Sequence, residues 1–315
     1  MKVVGAAEID RVLTFPAMIE ALAQAFSGSI VGPERHHHTV PQTGPHATLL
    51  LMPAWTTGTT PAFLGVKSVS VFPSNAARGL PSVQGSYSLM DGETGRPLAV
   101  LDGTRLTLWR TAAASALAAR SLAPEAPLRM VMVGAGALAP FLIRAHASVR
   151  PLRSVAIWAR RREAAEALAA ELAAEGHPVT AADDLEAAVA AADLVSCATL
   201  TAEPLVRGAW LKPGTHLDLV GAFTPAMREA DDETLRRASV YVDTPAALHE
   251  GGDVAAAVAA GTYRAEDVRG DLAALVAASI PGRTSPDEIT LFKSIGASIE
   301  DLATAIAVWR RLDLA

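Results

Sequence analysis

An α/β fold, with a doubly wound parallel sheet joined to a smaller α+β domain, is what the sequence predicts, and three observations predict it. From Leu128 onward, strand-like apolar runs alternate with alanine-rich helical stretches, the pattern of a parallel sheet covered on both faces. One of those runs, residues 130–133, leads into a glycine loop, Gly134-Ala135-Gly136-Ala137-Leu138-Ala139, at the start of a helix. Before Leu128 the strand-like runs are instead punctuated by Pro and Gly, which suits a small, mostly antiparallel sheet with helices.

The elements follow in order. Ile19, Leu22 and Phe26 share one helical face. Strands are expected at 47–52, 64–72, 87–90 and 98–101. Residues 111–122 are rich in Ala and Leu and read as a helix, which Pro124 and Pro127 end. In the second domain strands are expected at 130–133, 154–158, 194–198, 216–220 and 240–242, with helices at 140–148 and 163–174. A last helix at 294–312 carries Ile299, Leu302, Ile306 and Trp309 at helical spacing and is expected to pack back on the first domain. The predicted division is therefore 1–118 plus 294–315 for the smaller domain and 119–293 for the parallel-sheet domain.

The bulk composition excludes several functions. With 315 residues, half of them hydrophobic and 19% charged, the chain has material for a sizeable core and is too apolar for disorder. A net charge of −6 is no footprint for nucleic acid. No stretch approaches the roughly 20 apolar residues of a membrane span. The opening Met1–Gly5 is interrupted too soon by Glu8 and Asp10 to resemble a signal peptide. A single cysteine, Cys197, precludes an intrachain disulfide and suits the cytoplasm. Within its apolar run it reads as a buried bystander.

The glycine loop has a physical logic. Gly134 allows the tight turn, Gly136 lets the backbone approach a pyrophosphate, and the small Ala139 lets the helix sit close to the strand. Free N–H groups and the positive dipole end of the helix then face the anion. A strand before and a helix after are the context a Rossmann-type dinucleotide site requires. Gly134, Gly136, Ala137 and Leu138 are the expected phosphate-binding residues, and Thr199, Gly221 and Lys293 complete the cofactor-binding set. Where an NAD-selective fold places an acid, after strand 154–158, stands Ala159-Arg160-Arg161-Arg162. An acid there repels a 2′-phosphate, whereas an arginine pairs with one. NADPH is therefore expected over NADH, with Arg160 and Arg161 ahead of Arg162.

The first domain holds three basic residues of interest. A period of two places Lys67 on the face of Val69 and Val71, either snorkelling from the strand end or pairing with an anion. Arg110 precedes a helix expected to open at Thr111, the wrong end for a cation unless an anion sits there too. Arg35 follows Pro33-Glu34 in a loop and on these grounds is a surface residue. His36-His37-His38 lacks a nearby acid or cysteine to complete a metal site; it reads as a surface loop, or else as the polar wall of a pocket, and no metal is expected.

Taken together, several segments resemble the ornithine cyclodeaminase/mu-crystallin family over nearly the whole chain. They are Leu51-Met52-Pro53-Ala54, Gly65-Val66-Lys67, Phe72-Pro73-Ser74-Asn75, Thr94-Gly95-Arg96-Pro97-Leu98-Ala99, Asp102-Gly103, Arg110-Thr111-Ala112-Ala113, the glycine loop, and Leu291-Phe292-Lys293-Ser294-Ile295-Gly296. The resemblance implies that both chain ends build the first domain, which binds substrate and supplies a homodimer interface. It also implies that Arg35, Lys67 and Arg110 hold a substrate α-carboxylate beside the nicotinamide, Lys67 and Arg110 being the catalytic pair.

One departure shapes the expected activity. Cyclodeaminases of this family carry an aspartate two residues after the glycine that ends the strand; here the segment is Gly221-Ala222-Phe223-Thr224-Pro225, and Phe223 can neither accept a proton nor pair with an ammonium. With His36-His37-His38, this resembles the bacterial branch that reduces Δ1-pyrroline-2-carboxylate and Δ1-piperideine-2-carboxylate to L-proline and L-pipecolate. Phe223 is then expected to flank the substrate ring. Asp218 is carried as a catalytic candidate for the proton, with a structural role equally open. The competing readings are an open-chain amino acid dehydrogenase, a cyclodeaminase and a crystallin-like NADPH-binding protein without turnover.

Overall fold

The computed structural model describes residues 1–41 and 47–312. The chain forms two compact units, Met1–Arg110 with Ala297–Ala315, and Thr111–Gly296. The boundary falls inside one helix, Gly103–Leu122.

Among the described residues the first unit has seven strands: β1 (Lys2–Val4), β2 (Ile30–Val31), β3 (His36–Thr39), β4 (Thr48–Thr56), β5 (Phe63–Val71), β6 (Val83–Asp91) and β7 (Pro97–Asp102). Their order is β1-β7-β6-β5-β4-β2, with β3 also paired to β4. All pairs are antiparallel except β1 with β7. The long strands show the expected alternation: Phe63, Gly65, Lys67 and Val69 of β5 are buried and the residues between them are not. Helix Ser298–Arg311 packs on β4, β5 and β6 and on helix Phe15–Gln24. Leu302, Ile306 and Val308 from the one, with Met18, Ile19 and Leu22 from the other, are buried, each such side chain contributing about 1.5–3 kcal/mol.

Two local expectations are corrected here. The helix placed at 111–122 starts eight residues earlier, at Gly103, because the Asp102 carboxylate accepts the Arg105 N–H at 2.9 Å and so caps the first turn. Arg110 therefore lies within a helix, not ahead of one. The histidine run is not a loop: His36, His37 and His38 are exposed residues of β3, paired with Leu51, Leu50 and Leu49 of β4.

The second unit holds an eight-stranded sheet of β8 (Leu128–Val133), β9 (Leu152–Trp158), β10 (Val179–Ala181), β11 (Leu194–Cys197), β12 (His216–Leu219), β13 (Ser239–Val242), β14 (Gly270–Asp271) and β15 (Thr290–Lys293). Every pair is parallel, and the order is β10-β9-β8-β11-β12-β15-β13-β14. β11, β12 and β15 are buried throughout, as central strands of a sheet covered on both faces are, so their polar residues, Ser196, His216, Asp218, Thr290 and Lys293, are enclosed as well. This is the α/β fold that the sequence predicts. Its strand order reverses between β8 and β11, the switch point beside which such sheets bind ligands. No described helix is long and apolar enough to cross a membrane.

Candidate active site

In the second unit the glycine loop leaves β8 at the switch point. Gly134 has φ +113°, and a Cβ there would stand 2.7 Å from the Ala198 carbonyl, so both the left-handed backbone and the close approach require glycine. Gly136 and Ala137 are exposed, and nothing lies within 4 Å of a Cβ placed on Gly136. Leu138 caps helix Ala139–Val149, which carries Pro140 in its first turn. An open glycine cradle at a helix N-terminus fits a dinucleotide pyrophosphate. Beside it, β9 ends at Trp158 and helix Arg162–Ala174 begins. Arg162 is spent on Glu166 and Asp183. Arg160 and Arg161 are exposed and have no ion-pair partner among the described residues.

The remaining residues of the expected cofactor set lie deeper. Thr199 follows β11 and Gly221 follows β12; both are bonded to the buried carboxylate of Glu229. A Cβ on Gly221 would run into the Thr199 carbonyl. Lys293 is 0% exposed, and its ammonium lies 3.0 Å from Asp253 as its internal counter-ion. Asp218 is likewise 0% exposed. Its Oδ2 accepts from Ser196 at 2.7 Å and lies 3.2 Å from His146 Nε2. Burial pushes its carboxyl up, but the His146 ring and the hydroxyls of Ser115 and Ser196 outweigh burial and leave it below the ordinary range. An enclosed carboxylate held as an anion is a poor proton donor. Phe223 is half-buried on the segment that leaves β12.

In the first unit a charge cluster forms around β5. Lys67, 1% exposed, donates to Asp301 at 2.7 Å. Arg110 donates to Glu300 at 2.8 Å, and its Nε lies 3.2 Å from Asp301. Burial first, then the charge of Arg110 and more weakly that of Arg35, bring the Lys67 ammonium down to about 8 against the pull of Asp301. Arg35 therefore belongs to the electrostatic neighbourhood of Lys67 and is half-buried, not a bystander on the surface. The buried Tyr87, opposite Lys67 on β6, has its hydroxyl pushed well above the phenol range by burial and by Asp301. Gly65 must be glycine here, because a Cβ would collide with the Tyr87 ring. Lys67 and Arg110, with Arg35 in their electrostatic neighbourhood, form a basic cluster of the kind that can take a carboxylate.

Glu300 and Asp301 escape sequence reasoning. Acidic residues in the first turn of a helix are ordinary partners for its dipole, and nothing local marks these two as counter-ions to residues 190 and 234 positions away.

Comparison with known proteins agrees with this geometry. The sequence matches the family described as ornithine cyclodeaminase/mu-crystallin over residues 2–313. The chain belongs to that family. It is 41% identical over 286 residues to a Δ1-pyrroline-2-carboxylate reductase of Paracoccus denitrificans, covering 88% of this chain and 90% of the relative. It is 33% identical over 299 residues to the ketimine reductase mu-crystallin of Mus musculus, covering 94% and 91%. Among solved structures, Thermococcus litoralis Δ1-pyrroline-2-carboxylate reductase in complex with NADH and L-proline superposes with a TM-score of 0.93 at 32% identity, covering 99% of this chain and 97% of that one.

Proposed function

We propose that this protein reduces cyclic ketimines, Δ1-pyrroline-2-carboxylate and Δ1-piperideine-2-carboxylate, to L-proline and L-pipecolate, with NADPH as the preferred donor. It is an NAD(P)H-dependent oxidoreductase. The observation that carries the reading is the buried Lys67–Arg110 pair, seated on Asp301 and Glu300 with Arg35 in its electrostatic neighbourhood, a basic cluster that suits a carboxylate. Relatives named for the same reduction support it.

The residues divide the work. Lys67, Arg110 and Arg35 bind the carboxylate and fix the flat imine against rotation. Gly134, Gly136, Ala137 and Leu138 cradle the pyrophosphate; Arg160 and Arg161 pair with a 2′-phosphate. The bound nicotinamide supplies the hydride. The C=N carbon accepts it, the π pair becomes a lone pair on nitrogen, and the carboxylate stays anchored throughout. A ring imine that binds protonated needs no acid from the protein, which agrees with an Asp218 committed to His146 and Ser196. We assign Asp218 to holding the Rossmann core. The working form is read as a cytoplasmic homodimer.

The test is an oxidation assay with NADPH and NADH against both imines, with pyruvate plus amines as the comparison. Dinucleotide consumption stoichiometric with L-proline or L-pipecolate supports the reading, and activity confined to open-chain substrates overturns it. Phe223→Asp is expected to raise the imine KM by about tenfold, since a carboxylate replaces an apolar ring contact; an unchanged KM removes Phe223 from the substrate site.

A further inference from the structure

The segment that carries Phe223 leaves β12 and returns at Glu229, and its two ends are hooked to the same carboxylate. Glu229 Oε1 accepts from the backbone N–H of Thr199 at 2.6 Å and from its hydroxyl at 2.8 Å. Oε2 accepts from the N–H of Gly221 at 2.7 Å and of Ala222 at 3.3 Å. The side chain is 0% exposed. From behind, Asp253 accepts the N–H groups of Glu229 at 2.7 Å and Ala230 at 3.0 Å, and Lys293 neutralises Asp253. The segment closes tightly over helix Gly252–Ala259: a Cβ on Gly252 would enter the Met227 carbonyl and stand 2.8 Å from that of Thr224.

We propose that Glu229 is a positioning residue for the reaction, its carboxylate holding the ends of β11 and β12 and the Phe223 segment in one arrangement so that Thr199, Gly221 and Phe223 meet dinucleotide and imine correctly. The inference rests on the ketimine reading for its substrate. Glu229 itself touches neither ligand.

Thermodynamics separates this role from a merely structural one. The groups facing Glu229 are Lys293 on β15, Asp253 on helix Gly252–Ala259, Thr199 after β11 and the Cys197 thiol on β11. Burial pushes the Glu229 carboxyl up, Lys293 opposes it and Asp253 adds to it, leaving it at about 7. The folded value lies above the unfolded one. Stability from this group is therefore present at acid pH and lost as pH rises through about 7. The anion is thus held at a cost to the fold. The protonated form is nonetheless the poorer tie between the ends of β11 and β12, because four N–H and O–H donors converge on the carboxylate and a protonated carboxyl would turn a fifth hydrogen toward them. Acidification should loosen the ligand edge without destabilising the chain, whereas a purely structural carboxylate would move both together.

The experiment measures the NADPH dissociation constant and the imine KM between about pH 6 and 8.5, with thermal stability alongside, for wild type, Glu229→Gln and Thr199→Val. In wild type both constants are expected to rise about tenfold toward the acid end. In Glu229→Gln they are raised at every pH, by about tenfold, and that pH dependence disappears, while Tm at the alkaline end is no lower. Thr199→Val removes one donor to the anion, so its affinity loss should begin at higher pH than in wild type. Wild-type constants in Glu229→Gln, or the same acid loss persisting there, overturn the proposal. Should Glu229→Gln not fold, an unshifted profile in Thr199→Val overturns it as well. If no imine is turned over by wild type, the ketimine reading fails, while the NADPH dissociation constants still decide the role of Glu229.

Discussion

Replacing Lys67 by methionine is expected to lower kcat/KM for the cyclic imine by about a hundred- to a thousandfold, which corresponds to roughly 3–4 kcal/mol of transition-state stabilisation. A charge-assisted bond from a buried ammonium to a carboxylate is of about that order once the orientation it imposes is included. The pH profile carries the sharper signature. Only the protonated ammonium binds a carboxylate, and burial together with Arg110 brings Lys67 down to about 8. As pH rises through that value the cation is lost, so Lys67 imposes no limb of its own below it and kcat/KM should fall tenfold per unit above it. Bound substrate adds an anion that favours the protonated form, so the same limb should lie at higher pH in kcat than in kcat/KM. In Lys67→Arg the guanidinium stays charged across the range, and the alkaline limb should vanish even if the rate is lower. An alkaline limb persisting unchanged in Lys67→Arg assigns the titration to another group.

What could be read from the chain beforehand follows how local each interaction is. The glycine loop is encoded within six residues and a flanking strand, and the left-handed backbone at Gly134 is a local feature, although the Ala198 carbonyl that crowds it comes from β11's end. The side Lys67 faces follows from the period of β5. The helix around Arg110 was harder to place, since its true start is marked by Asp102-Gly103 and glycine is a poor helix former. The counter-ions Glu300 and Asp301 come from the opposite end of the chain, and only the packing of helix Ser298–Arg311 on β5 brings them to Lys67 and Arg110. Lys293 is the opposite case, a residue whose burial local sequence does not report. It stands in a segment characteristic of the family, yet β15 inserts between β12 and β13, which makes it a central strand and buries the lysine. Sheet order is a long-range property, and no periodicity reports it.

Arg110 is the residue at which stability and activity should come apart most widely. Arg110→Leu leaves the fully buried Glu300 without the guanidinium 2.8 Å away, and breaking a buried pair in this way typically costs about 3–5 kcal/mol. A large drop in the urea midpoint is expected, together with loss of imine reduction. Adding Glu300→Gln removes the stranded charge, and the double variant should recover most of the midpoint, because a neutral replacement of a buried pair is often close to neutral for the fold. Activity should not recover, since the carboxylate clamp still lacks its second cation. If the double variant regains both, Arg110 acts only through the fold; if Arg110→Leu alone loses neither, the pair is not part of the clamp. Glu300→Gln by itself tests the clamp from the other side. It removes one negative charge from beside Arg110, so the imine should bind more tightly, and the product carboxylate, held by the same added positive potential, should leave more slowly. A lower KM accompanied by a lower kcat is the expected pattern, and it would identify Glu300 as the residue that keeps the clamp weak enough to release what it has made.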